Sequence, residues 1–234
     1  MPFRLTRRAA LALPLAAVVL GASPVLAQTT LILGISAAPG SVDPHFNQGT
    51  STQTLTYHIF DTLIDRRPDY SLAPGLALSW TPLSDALWEL KLRPDVRFSN
   101  GQPFTADDCI FNWEYGRDPA TASVTSGTYR DVEVEKIDSH TVKVKFKKPT
   151  PFWADAFVGN RGCLIPKHLF ADYAGAKSRE APTNLAPVGT GPYKFVEFKP
   201  GDLVRGERNP NYHIPNRPYF GAIEMKGGGD PVWA

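Results

Sequence analysis

Apolar and polar positions change period several times along this chain, and each change marks an element. Leu55, Ile59 and Leu63 recur at i, i+4 and i+8, so residues 52–64 predict an amphipathic helix ending before Arg66-Arg67-Pro68. Residues 30–36 (TLILGIS) are β-formers that stop at Ala37-Ala38-Pro39-Gly40, a strand running into a loop. Residues 87–92 alternate, with Trp88, Leu90 and Leu92 on one face of a half-buried strand. Val132, Val134 and Ile137, then Val142, Val144 and Phe146, predict two strands joined at Asp138-Ser139-His140. On the second, Lys143, Lys145 and Lys147 point to solvent by the period of two. Residues 193–198 and 203–208 predict two more strands across Lys199-Pro200-Gly201-Asp202, and another begins at 223–226. Thr105-Ala106-Asp107-Asp108 reads as a capping box opening a helix over 106–116. A short helix is expected over 166–173 and a loop over 178–190. The pattern is that of a mixed α/β chain built from short elements.

Composition agrees. There are 22 prolines in 234 residues, nearly twice the ordinary share of about 5%. With 42% hydrophobic and 21% charged residues, a packed core is expected and disorder is not. The first 27 residues stand apart. Arg4, Arg7 and Arg8 precede an uncharged run over 9–21, and Val25-Leu26-Ala27 supplies small residues at a cleavage point. This is the layout of a secretory signal, with cleavage expected between Ala27 and Gln28. The run is too short for a transmembrane helix and contains Pro14. Arg7-Arg8 leaves Sec and Tat export both open, and no cysteine near the cleavage point offers a lipid anchor.

Removal of the signal takes away three arginines and no acid, moving the formal charge from +2 to −1. Nothing basic then remains to favour nucleic acid. Cys109 and Cys163 enter an oxidising compartment, either as a disulfide or as two small buried hydrophobes. The five histidines are scattered, and only Asp43 with His45 offers a local pair of metal-ligand type. Gly189-Thr190-Gly191 is followed by Pro192 and a strand, not a helix N-terminus, so it reads as a tight turn rather than a phosphate cradle. No G-x-S-x-G elbow or cysteine-protease signature is present.

Several longer stretches, in order, carry a resemblance. They are Ser41-Val42-Asp43-Pro44, Phe60-Asp61-Thr62-Leu63, Leu72-Ala73-Pro74-Gly75-Leu76-Ala77, and Leu92-Arg93-Pro94-Asp95-Val96-Arg97-Phe98. Asn100-Gly101-Gln102-Pro103-Phe104-Thr105-Ala106-Asp107-Asp108, Pro166-Lys167-His168-Leu169, Gly189-Thr190-Gly191-Pro192-Tyr193 and Glu207-Arg208-Asn209-Pro210-Asn211-Tyr212 follow. In this order the chain resembles the family-5 solute-binding proteins of ABC importers, the dipeptide- and oligopeptide-binding type.

The resemblance implies an α/β fold of periplasmic-binding-protein type (type II, extra-domain variant) that clasps a solute between two lobes. It places a first lobe at 28–60 and 188–234 and an inserted extra domain at 61–187. Members are about twice as long, so the second lobe is expected to be missing from this chain. The implied role is a monomeric periplasmic component that carries a peptide or similar small solute to an ABC permease in the inner membrane. It requires no cofactor, no catalysis and no nucleic acid. Loops aligned with the family's cleft nominate Ala37, Ala38 and Pro39 after the first strand, and Tyr129, Gly159, Asn160 and Arg161 from the extra domain. A secreted hydrolase using scattered acids or an Asp43/His45 metal, and a nonfunctional fragment, are the alternatives.

Overall fold

The computed structural model describes residues 29–35, 42–46, 49–199 and 202–227. The predicted signal, the 37–39 loop and the end of the chain lie outside them. The elements run β1 Thr30–Ile35, α1 Thr50–Ile59, β2 Ile64–Arg66, β3 Leu72–Pro74, β4 Ala77–Ser84, β5 Leu87–Leu92 and α2 Ala106–Arg117. After these come α3 Ser126–Tyr129, β6 Val132–Asp138, β7 Thr141–Phe146, α4 Lys167–Phe170, β8 Tyr193–Lys199, β9 Leu203–Arg208 and β10 Ala222–Gly227. A mixed sheet has the order β1-β10-β9-β8, with β1 parallel to β10 and the other pairs antiparallel. An antiparallel sheet has the order β4-β5-β7-β6, and β2 pairs with β3 alone.

Each four-stranded sheet has its own core. The first is formed by Leu55 and Ile59 of α1 against Tyr193, Val204, Ile223 and Met225 of β8, β9 and β10. The outer face of that sheet is a ladder of ion pairs, in which Arg205 reaches both Glu197 and Glu224. The second core joins Leu90, Leu92, Val132, Val142 and Val144 to Phe98, Phe104, Trp113 and Phe157. Trp88 and Trp153 stack at its edge with ring centroids 3.8 Å apart. Helix α2 serves both cores: Trp113 faces the second, while Phe111 and Tyr115 enter the first together with Ile165, Phe170 and Ala181.

Several expectations hold in detail. Thr105 and Asp108 form the capping box: the Thr105 hydroxyl accepts from Asp107 N at 3.3 Å and the Asp108 carboxylate from Thr105 N at 2.9 Å. The hairpin register sets Glu133 opposite Lys145 and Glu135 opposite Lys143; Lys145 pairs with Glu133 and Lys147 with Asp131 at the surface, and Lys143 is half-buried.

Three expectations need correction. The first helix stops at Ile59, not Ile64, because Phe60 turns extended and Ile64 joins a strand. Its last carbonyl is taken by Gly191 N at 2.9 Å. That close approach explains the Gly-Thr-Gly turn, since a Cβ on Gly189 would lie 2.0 Å from the Ile59 oxygen. Strand β4 carries Pro82 and gave no strand signal; it is tolerated because β4 is an edge of its sheet. The 178–190 segment holds short helical turns at Gly175–Glu180 and Pro182–Asn184. Cys109 and Cys163 are free thiols, both buried and assigned to different cores, so the small-hydrophobe alternative describes them and no disulfide joins them.

Candidate functional site

The extra-domain residues nominated from sequence converge on one place, the turn Gly159–Gly162 packed against the C-terminal half of α1. Gly159 has φ +62, a left-handed conformation that favours glycine, and an added Cβ would meet the Tyr57 hydroxyl at 3.3 Å. Gly162 passes so near Phe157 that a Cβ would lie 2.0 Å from its carbonyl oxygen. Asn160 is buried between them: its Oδ1 accepts from the Thr56 hydroxyl at 2.6 Å, and its Nδ2 donates to the Pro44 carbonyl at 3.2 Å. Tyr129 is also buried, and its hydroxyl donates to the Arg161 carbonyl. Burial pushes its phenol above the ordinary range.

Tyr129 and Asn160 therefore brace the turn from below. The groups left facing solvent are the exposed Arg161 and half-buried Gly159, with Tyr57 of α1 (45% exposed) beside them. The sequence reading had missed Tyr57. Its signal was available, since it lies off the Leu55–Ile59 face of the same helix. Ala37, Ala38 and Pro39 lie outside the described residues.

The loop carrying Asp43 and His45 enters the same region on a buried polar network. His45 N donates to Asp43 Oδ1 at 2.8 Å, and Asp43 Oδ2 accepts from the Tyr115 hydroxyl at 3.4 Å. The His45 ring places Nδ1 3.3 Å from Thr125 Oγ1 and Nε2 3.1 Å from Asn112 Oδ1. Asn112 in turn donates Nδ2 to the Asp108 and Ile165 carbonyls at 2.8 and 2.7 Å and accepts from Ile165 N at 2.9 Å. Since Nδ2 must donate to two carbonyls, Oδ1 faces the imidazole as an acceptor, and His45 carries its proton on Nε2. Both ring nitrogens are thus engaged, so His45 anchors the loop and does not present a metal-binding lone pair. Burial, partly offset by His45, raises the Asp43 carboxyl above its ordinary range. Among the described residues no group of three or more His, Cys, Asp or Glu is placed to hold a metal ion. The Asp43/His45 hydrolase alternative has no geometric support.

The arrangement is a rigid ledge. Backbone and neutral polar groups are fixed beneath it, and a tyrosine and an arginine stand above. Such a surface can hold a solute by hydrogen bonding and stacking.

The family model of the bacterial extracellular solute-binding proteins, family 5 Middle, matches residues 71–231. The chain belongs to this family. The family is one of extracellular solute-binding proteins, which implies an extracytoplasmic location. The periplasmic oligopeptide-binding protein OppA of Escherichia coli is 27% identical over 201 residues, covering 78% of this chain and 36% of OppA. Among solved structures, NikZ from Campylobacter jejuni, in complex with Ni(L-His), matches with a TM-score of 0.79 at 27% identity, over 88% of this chain and 40% of NikZ. MoaA from A. tumefaciens R10, in complex with mannopinic acid, matches with a TM-score of 0.77 at 31% identity, over 88% of this chain and 42% of MoaA. The fold is accordingly of the periplasmic-binding-protein type, and the chain spans a little over a third of the length of OppA.

The family stretches quoted above fall largely where the two cores meet. Asn209 Nδ2 donates to the Gly191 carbonyl at 2.8 Å, Asn211 Nδ2 reaches the Phe98 and Ser99 carbonyls at 3.4 Å, and Ser99 N donates to the Gly189 carbonyl at 2.8 Å. These motifs serve architecture more than ligand chemistry.

Proposed function

We propose that this chain is the ligand-contacting first part of the solute-binding component of an ABC importer, one that delivers a peptide or similar small solute to a membrane permease. The observation that carries the reading is the family match over residues 71–231, joined to a braced ledge bearing Tyr57 and Arg161. The two cores support a division into a first lobe at 28–60 and 188–234 with an insertion at 61–187, and parts of α2 and the 163–181 segment pack back onto the first lobe. Residues 1–27 are proposed as a cleaved export signal, and the exported protein as a monomer free of a lipid anchor.

The solutes named for the relatives, a nickel–histidine complex and mannopinic acid among them, define a panel alongside di- to nonapeptides. A ligand bound by the folded state alone stabilises it by about 2.7 kcal/mol at a hundred times Kd. Thermal melting of the protein expressed from its complete reading frame should show a concentration-dependent rise in Tm with at least one member. Replacement Arg161→Gln or Tyr57→Ala should weaken that rise without lowering the ligand-free Tm. Normal folding with no shift for any solute would count against the reading.

A further inference from the structure

The chain crosses from the first core to the second at Asp61, directly after α1, and returns through Thr190 to β8. The loop after β9 closes over this crossing, held by the Asn209 and Asn211 bonds to both sides. Under it, His213 Nδ1 lies 3.6 Å from Asp61 Oδ2, with the two side chains only 4% and 16% exposed. By distance this is an ion pair, yet neither atom has a hydrogen-bond partner. Thr190 and Tyr212 are the hydrogen-bonding neighbours of the Asp61 carboxyl, and a charge on the facing Oδ2 or Nδ1 at this buried position would be costly.

We propose that Asp61 and His213 carry one proton as a pair, on the carboxyl with the imidazole neutral, and that this uncharged pair lets the 209–213 loop seat over the crossing. On both members of the pair, burial outweighs the neighbouring groups that favour the charged form. Burial is the main influence on Asp61 and pushes it up to about 7; Asp65 of β2 adds to this, while Thr190, Arg93 and Tyr212 oppose it. Burial is again the main influence on His213, pushing it down to about 4; Arg93 adds to this and Asp95 opposes it. The Tyr212 phenol, raised by burial and by the Asp61 and Asp65 carboxylates, stays protonated and able to donate to Asp61.

Proton accounting gives the consequence. In the unfolded chain between pH 4 and 6.5 the histidine carries the proton and the aspartate is charged. In the folded chain the aspartic acid carries it and the histidine is neutral. Folding moves the proton without taking one up or releasing one, so the pair contributes no pH dependence across that window. Remove one partner and the compensation fails. With Asp61→Asn, folding must strip a proton from His213, so the folding constant should rise with pH relative to wild type. With His213→Gln, folding must load a proton onto Asp61, so it should fall with pH. Each slope approaches about tenfold per pH unit.

Urea unfolding of wild type, Asp61→Asn and His213→Gln from pH 4.5 to 6.5 tests this, and opposite slopes for the two variants are expected. Imidazole NMR of wild type provides an independent measure if a variant does not fold, and His213 should be neutral at pH 5.5. Slopes of the same sign, slopes equal to wild type, or a His213 that is charged at pH 5.5 would overturn the proposal.

Discussion

Asn112→Ala is the substitution whose cost follows most directly from the structure. Asn112 is 1% exposed and its side-chain amide pairs with the Ile165 backbone through two bonds of 2.7 and 2.9 Å, much as a neighbouring strand would. It also accepts from His45 Nε2 at 3.1 Å. Truncation leaves three buried groups without partners: the Ile165 N–H, the Ile165 carbonyl and the His45 N–H. At about 1–3 kcal/mol for each orphaned group, with partial relaxation, the loss should be about 3–6 kcal/mol. That is a large share of an ordinary total of about 5–15 kcal/mol. In urea, with a slope of about 2 kcal/mol per molar, the midpoint should fall by about 1.5–3 M. Asn112→Leu separates the causes, because it removes the same bonds while leaving little cavity. If the polar network is what matters, the two variants lose similar stability. Should Asn112→Leu unfold within about 1 kcal/mol of wild type, the reasoning fails and packing alone holds the site.

Three further outcomes follow from close contacts and burial. Gly189→Ala would drive a methyl into the Ile59 carbonyl at 2.0 Å and spread the turn from α1, costing about 2–4 kcal/mol in the same assay. Gly127→Ala, exposed in α3 with nothing within 4 Å of its added Cβ, should instead be neutral or stabilising by up to about 1 kcal/mol. Cys109 and Cys163 are buried thiols whose ionisation is pushed up by desolvation, so a thiol reagent should modify neither in native protein and both after unfolding without reductant. No reaction in denaturant would reveal a disulfide.

Local chemistry was legible in the sequence. The capping box at Thr105, the hairpin through Asp138-Ser139-His140, the alternation of β5 and the short helix at Lys167–Phe170 depend on neighbours within a few residues, where periodicity and turn chemistry act. The order of eight short motifs also pointed to the family, and some of them, such as Asn209, Asn211 and Gly189, make contacts where the two cores meet.

The tertiary structure alone decided the rest. Where α1 ends depends on Gly191, more than a hundred residues away, supplying an N–H to Ile59. Strand β4 exists despite Pro82 because an edge position demands hydrogen bonds on one side only. Tyr129 and Asn160 read as surface loop residues, yet Arg161, Thr56 and Pro44 satisfy their polar atoms and let them be buried. His45 meets Asn112 and Thr125 across separations of 67 and 80 residues. Pairings at that range leave no period in the chain. They arise when two cores are pressed together and every buried donor must find its acceptor.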